Sequence, residues 1–137
     1  MRYYANKLTQ EVFIDVLKFF FKECDKVNIY FPNELSPSSV KEFHDDFLAA
    51  AKLTNIEGVE DDLLTEKDGY SMIIASLTDD IKNLLITSYP KVNLSMGLIN
   101  KEDKVIFYVG DEGEFVIETD GDSNFIYEDL FKGFKII

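Results

Sequence analysis

The first strong hydrophobic periodicity lies close to the N-terminus. Phe13, Val16, Leu17, Phe20 and Cys24 recur at helical spacing and predict a helix from about Leu8 to Cys24. Thr9 is placed to cap it, and Glu11 sits in the first turn, where the helix dipole favours a negative charge. Phe19 and Phe21 widen the apolar stripe, so this helix is expected to be covered on more than one side. Val27 to Phe31 then alternates with period two and predicts a strand, stopped by Pro32 and Asn33. Ser36-Pro37-Ser38-Ser39 predicts the start of a second helix, since Ser caps and Pro suits the first helical position. Glu42 follows Ser39 by three residues, which makes a capping box if the helix starts a turn later. Its buried face is Val40, Phe43, Phe47, Ala50 and Ala51, running to about Leu53.

Residues 55–69 are weakly patterned and predict an ordered loop or a short turn of helix, anchored by Val59, Leu63 and Leu64, and not a linker. Tyr70 to Ala75 predicts a strand, and Thr78 caps a third helix with Asp79 and Asp80 in its first turn and Ile81, Leu84 and Leu85 on its core side. Pro90 marks its end. A meander follows, with strands at Val92–Ile99, Lys104–Val109 and Glu114–Thr119 and turns at Asn100–Asp103 and Gly110–Gly113. In the middle strand Val105, Phe107 and Val109 are expected on one face and Ile106 and Tyr108 on the other. A strand apolar on both faces belongs at the centre of a sheet or under cover on both sides. Asp122 or Ser123 is expected to cap a last short helix carrying Phe125, Ile126, Leu130 and Phe131, stopped by Gly133. Repeats and linker-like stretches are lacking. The pattern predicts a single α+β domain over residues 1–137, a mainly antiparallel sheet with a C-terminal three-stranded meander, packed by three to four helices.

Composition narrows the class. Twelve Phe and seven Tyr supply bulky core material, which argues against intrinsic disorder. One cysteine, Cys24, excludes an intramolecular disulfide framework and reads as a small core residue. Residues 1–7 form a polar lead-in unlike a signal peptide, and Lys18 and Lys22 flank the Phe19-Phe20-Phe21 cluster, so no membrane association is expected. The expected compartment is the cytoplasm.

Charge changes the picture most. The formal net charge is −12. Residues 1–56 are nearly balanced, so almost all of the excess lies in the C-terminal part. It gathers in Glu57–Asp68 and Asp111–Asp129, and no Lys or Arg falls between Lys104 and Lys132. Confining like charge to one region costs self-repulsion, while a one-signed field steers oppositely charged partners and repels nucleic acid.

No catalytic, cofactor or metal motif stands beside this. Asp120-Gly121-Asp122-Ser123-Asn124 begins like a calcium loop, but Phe125 and Phe131 occupy the positions that need Gly and Glu. His44 has no matching ligand set, and Asp45 and Asp46 are its chain neighbours, which point in other directions on a helix. Gly110-Asp111-Glu112-Gly113 sets two acids where a phosphate loop needs open backbone donors, and suits a hairpin turn instead.

The expectation is therefore a small acidic binding protein, not an enzyme, that neutralises a basic protein partner. Its most concrete form is an immunity-type inhibitor of a nuclease-like bacterial toxin, a likeness of profile and not of motif. The candidate partner-binding residues are Glu60, Asp61, Asp62, Glu66, Asp68, Asp111, Glu112, Glu114, Glu118, Asp120, Asp122, Glu128 and Asp129. Tyr108 and Tyr127 are candidate aromatic anchors, with Tyr70 beside them. Two alternatives stand: a small-ligand protein or enzyme with a pocket between helices and sheet, and an acidic mimic of DNA phosphates. Unpaired sheet edges also leave room for a homodimer.

Overall fold

The computed structural model describes residues 2–52, 70–88, 92–119 and 128–136. Their elements are, in chain order, β1 (Arg2–Ala5), α1 (Gln10–Glu23), β2 (Cys24–Pro32), α2 (Ser38–Ala50), β3 (Tyr70–Ser76), α3 (Asp79–Ser88), β4 (Met96–Asn100), β5 (Val105–Val109) and β6 (Phe115–Glu118). A 3₁₀ turn at Asp129–Phe131 and a two-residue β7 (Lys135–Ile136) close the chain. The strands form one seven-stranded antiparallel sheet in the order β3-β2-β4-β5-β6-β1-β7. The fold is thus mixed helix and strand, a sheet packed by helices.

Local chemistry explains the helix starts. Thr9 accepts a hydrogen bond from the Val12 amide (3.2 Å), and Thr78 does the same for Ile81 (3.3 Å), each satisfying an amide with no partner in its own helix. The start of α2 differs from the expected Ser cap. Pro37 is the capping residue and no side-chain hydrogen bond is made there, so neither the Ser36 cap nor the Ser39–Glu42 capping box forms. Helix α1 stops at Glu23, and Cys24 already has extended backbone as the first residue of β2.

All three helices lie on one face of the sheet. Phe20 of α1 stacks on Phe107 of β5, with Phe131 edge-on to Phe19 at 5.1 Å. Phe43 and Phe47 of α2 surround Phe31 of β2, at 5.9 and 5.7 Å between ring centroids. Ile81 and Leu85 of α3 are fully buried where α3 meets α1 and α2. Beneath them Val27, Ile29, Met96, Leu98, Phe107 and Ile117 line the sheet's inner face, at most 1% exposed. Strand β5, apolar on both faces, is the central strand of the seven.

Sequence pattern found the β3 end of the sheet but missed the other, where β1 and β7 lie. Residues 1–7 were expected as a lead-in, yet Arg2–Ala5 pair with β6 on one side and β7 on the other, with Tyr3 and Ala5 buried. Val92 to Ser95 were expected in a strand; they precede β4 as irregular chain, although Val92 and Leu94 are buried. Val105 departs as well. A bulge sets both Val105 and Ile106 against Ile99, so Val105 turns away from Phe107 and is exposed. The expected anchors Val59, Leu63 and Leu64, the Pro90 stop and the helix start at Asp122 or Ser123 lie outside the described residues. Among the described residues, no helix is long and apolar enough to cross a membrane.

Candidate interaction site

The hairpin joining β5 to β6 carries the first described acids. Gly110 donates to the Glu114 carbonyl (2.8 Å), Gly113 donates to the Gly110 carbonyl (3.2 Å), and Gly113 has φ of 86°. That left-handed residue is why glycine is needed here. Asp111 and Glu112 are exposed at the tip, while Glu114 folds back over Gly110, where any Cβ would run into its carboxylate. None of the three makes an ion pair with a described residue.

The remaining described acids are spread more widely. Glu118 ends β6, about 10 Å of strand from Phe115, and pairs with Arg2 of β1. Glu128 and Asp129 are exposed beside the 3₁₀ turn, whose Phe131 packs against α1 on the helix side of the sheet. So Asp111, Glu112 and Glu114 are brought together, Glu118 stands at the other end of the same strand, and Glu128 and Asp129 lie in the layer of the helices. Glu60, Asp61, Asp62, Glu66, Asp68, Asp120, Asp122 and Tyr127 lie outside the described residues.

Tyr108 leads to a feature that charge patterning did not single out. It belongs to the sheet face opposite the helices, in a row that runs Ile74, Asn28, Gly97, Tyr108, Val116, Tyr4 across five neighbouring strand pairs. No described helix covers this face. Five described large apolar side chains are exposed, and four of them, Tyr4, Tyr70, Ile74 and Val105, are on it. The exposed large apolar side chains among the described residues are thus concentrated on one face and not scattered. The face is not uniformly open, for Met72, Asn28 and Ile99 are buried in it. A groove of about 370 Å³ crosses it, lined by Arg2, Asn28, Tyr30, Val105, Ile106, Tyr108, Val116 and Glu118. A second groove of about 350 Å³ shares Tyr30 and reaches Tyr70 and Asp111. The two sequence-derived residues in the first groove are Tyr108 and Glu118; Asn28, Tyr30 and Arg2 were missed. The alternation of Asn28 and Tyr30 with Val27, Ile29 and Phe31 was the available signal for them.

Asn28 is the one buried polar residue among those described, 7% exposed. Its Nδ2 donates weakly to the Met72 sulfur (3.6 Å), and its Oδ1 has no hydrogen-bond partner among the described residues. That oxygen lies over Gly97, where a Cβ would come within 2.5 Å of it. Burial, with a smaller contribution from Tyr108, holds the Tyr30 phenol above its usual range, so it stays neutral.

Other reactive groups have structural roles. Burial, reinforced by Glu23 and Asp25, pushes the Cys24 thiol up to about 12, the opposite of what a nucleophile requires. His44 packs edge-on to Phe31 at 4.9 Å, and its Nδ1 does reach its neighbour Asp45 (3.2 Å), contrary to the expected divergence of adjacent side chains. Asp45 is held below the usual carboxylate range mainly by Lys41 one turn earlier, with His44 adding to it. Among the described residues no group of three or more His, Cys, Asp or Glu is placed to hold a metal.

Fold and surface together define an α+β protein with a helix-covered sheet face and a second face rich in tyrosine. Compared with protein-family models, curated proteins and solved structures, the chain matches none.

Proposed function

We propose that this is a small acidic binding protein that neutralises a basic protein partner, most concretely an immunity-type inhibitor of a nuclease-like toxin. The observation that carries the proposal is the pairing of two surfaces. A tyrosine-rich sheet face, able to supply buried anchors, runs up to a hairpin whose Asp111, Glu112 and Glu114 are unpaired by any described residue. A nuclease cleft is basic because it holds phosphates, and carboxylates can take the phosphates' places. The protein would act without catalysis, in the cytoplasm. A DNA-phosphate mimic is less well supported, since the described carboxylates sit on both sides of the sheet instead of in a row along one face.

Affinity capture at low salt from the source lysate, with elution by salt steps and mass spectrometry, tests the proposal. A single basic protein should be retained in stoichiometric amount, released by salt, and inhibited when the purified pair is recombined. Retention of no basic protein, or a purified pair whose affinity ignores salt, would overturn it.

A further inference from the structure

We propose that the groove on the tyrosine-rich face is a guanidinium subsite, which receives an arginine side chain of the basic partner over Gly97, between Tyr30 and Tyr108 and against Asn28. The inference deepens the functional proposal and rests on it for the identity of the arginine's owner.

Three observations converge. Asn28 Oδ1 is a buried acceptor with no partner among the described residues, a costly arrangement that a donor would relieve. Gly97 stands between Asn28 and Tyr108 in the register, and its lack of a side chain leaves the space that Asn28 occupies in part. Tyr30 follows Asn28 by two residues on the same strand face, so one aromatic ring stands along the strand and the other across it. A buried acceptor lining one groove with two phenol rings matches a flat cation with several N–H donors, which stacks on aromatic faces and hydrogen-bonds at its edge. A lysine ammonium, compact and strongly hydrated, uses the same features less well.

The charges around the groove agree. Arg2 lines it but is neutralised by Glu118, and that pair shows a guanidinium already accommodated at the groove's end. The adjoining groove opens toward Asp111, which no described residue pairs and which would hold a second cation of the same segment. Val105 limits access. Its Cγ1 would lie 3.0 Å from a Cβ at Gly97, so it shares the space over Asn28 Oδ1 and must rotate aside for the guanidinium to reach that oxygen.

The test is titration of the whole protein with N-acetylarginine N-methylamide, followed by NMR of backbone and side-chain amides and tyrosine rings. The lysine analogue serves as the charge-matched control. Saturable shifts are expected at the Asn28 side-chain amide, Tyr30 and Tyr108, with the lysine analogue weaker. Asn28→Leu, checked for its melting temperature, should weaken arginine binding roughly tenfold, the scale of one hydrogen bond to a charged group. Val105→Ala should tighten it. Equal shifts for both analogues confined to Asp111, Glu112 and Glu114 would overturn the subsite while leaving the acidic binding function standing. Absence of shifts at Asn28, Tyr30 and Tyr108 would overturn it too. Loss of the functional proposal shows separately, as failure to capture a basic protein.

Discussion

Phe20 and Phe107 lie almost parallel, with ring centroids 4.9 Å apart and an interplanar angle of 7°. The contact joins the last turn of α1 to the central strand of the sheet, and both residues are fully buried. Truncating Phe20 to Ala removes the area buried by the ring and leaves a cavity that neighbours on two layers cannot collapse into. We expect a loss of about 3–5 kcal/mol in urea unfolding followed by circular dichroism. Phe19→Ala, at a half-buried position, should lose distinctly less; equal losses would show that the stacked pair is not central to the core.

Gly97 and Gly113 are needed for different reasons, and alanine separates them. At Gly113 the space is open but φ is 86°, so Gly113→Ala should cost about 1 kcal/mol through backbone strain alone. At Gly97 the new methyl meets Asn28 Oδ1 at 2.5 Å and Val105 at 3.0 Å. Gly97→Ala should cost about 1–3 kcal/mol, and Asn28→Ala in the same chain should recover part of it. No recovery in the double variant would contradict the placement of Asn28 over Gly97.

Cys24 should resist thiol reagents while the protein is folded. Its pKa is raised from 9.0 to about 12, so unfolding makes it more acidic and more reactive. The sign follows from the folded state favouring the neutral thiol. The stabilisation from this group is fully present below pH 9 and is lost as pH rises from there toward 12. Labelling by a disulfide reagent at pH 8 should track global unfolding in urea, and fast labelling of the native protein would contradict the burial.

Asp111 and Glu112 are exposed at the hairpin tip and Glu114 is half-buried over Gly110; reversing all three to Lys breaks no ion pair with a described residue and should change the melting temperature little. Under the proposed function it should slow association with the basic partner by about tenfold at low salt and flatten the salt dependence of the rate, with less effect on dissociation. Unchanged association in stopped flow would remove the hairpin from the interface.

How much was legible in the chain varied with the range of the interaction concerned. Thr9 and Thr78 cap their helices because a hydroxyl three residues before an amide needs nothing else from the molecule. Gly113 takes the left-handed place in its hairpin for an equally local reason. The stripe Phe13, Val16, Leu17, Phe20 is buried as its spacing predicted. Arg2–Ala5 was not recognisable as a strand, because four residues carry too short an alternation and its partners, β6 and β7, are more than a hundred residues away in the chain. Val105 misled because a bulge against Ile99 changes a strand's facing without any mark in its own residues.

The site divides along the same line. Hydrophobic period, capping residues, turn glycines and the uneven spread of charge belong to the sequence itself, because each depends on residues a few positions apart or on composition alone. They determined α1, α2 and α3 in outline, the β5–β6 hairpin and the acidic character. Which strands pair, which sheet face the helices cover, and therefore the meeting of Asn28, Gly97, Tyr30 and Tyr108 were decided only in the folded molecule. Those residues come from three strands, of which β4 and β5 share a short turn but β2 reaches them only across a long connection, and strand pairing is chosen by the burial of whole faces, a quantity that no short stretch of chain contains.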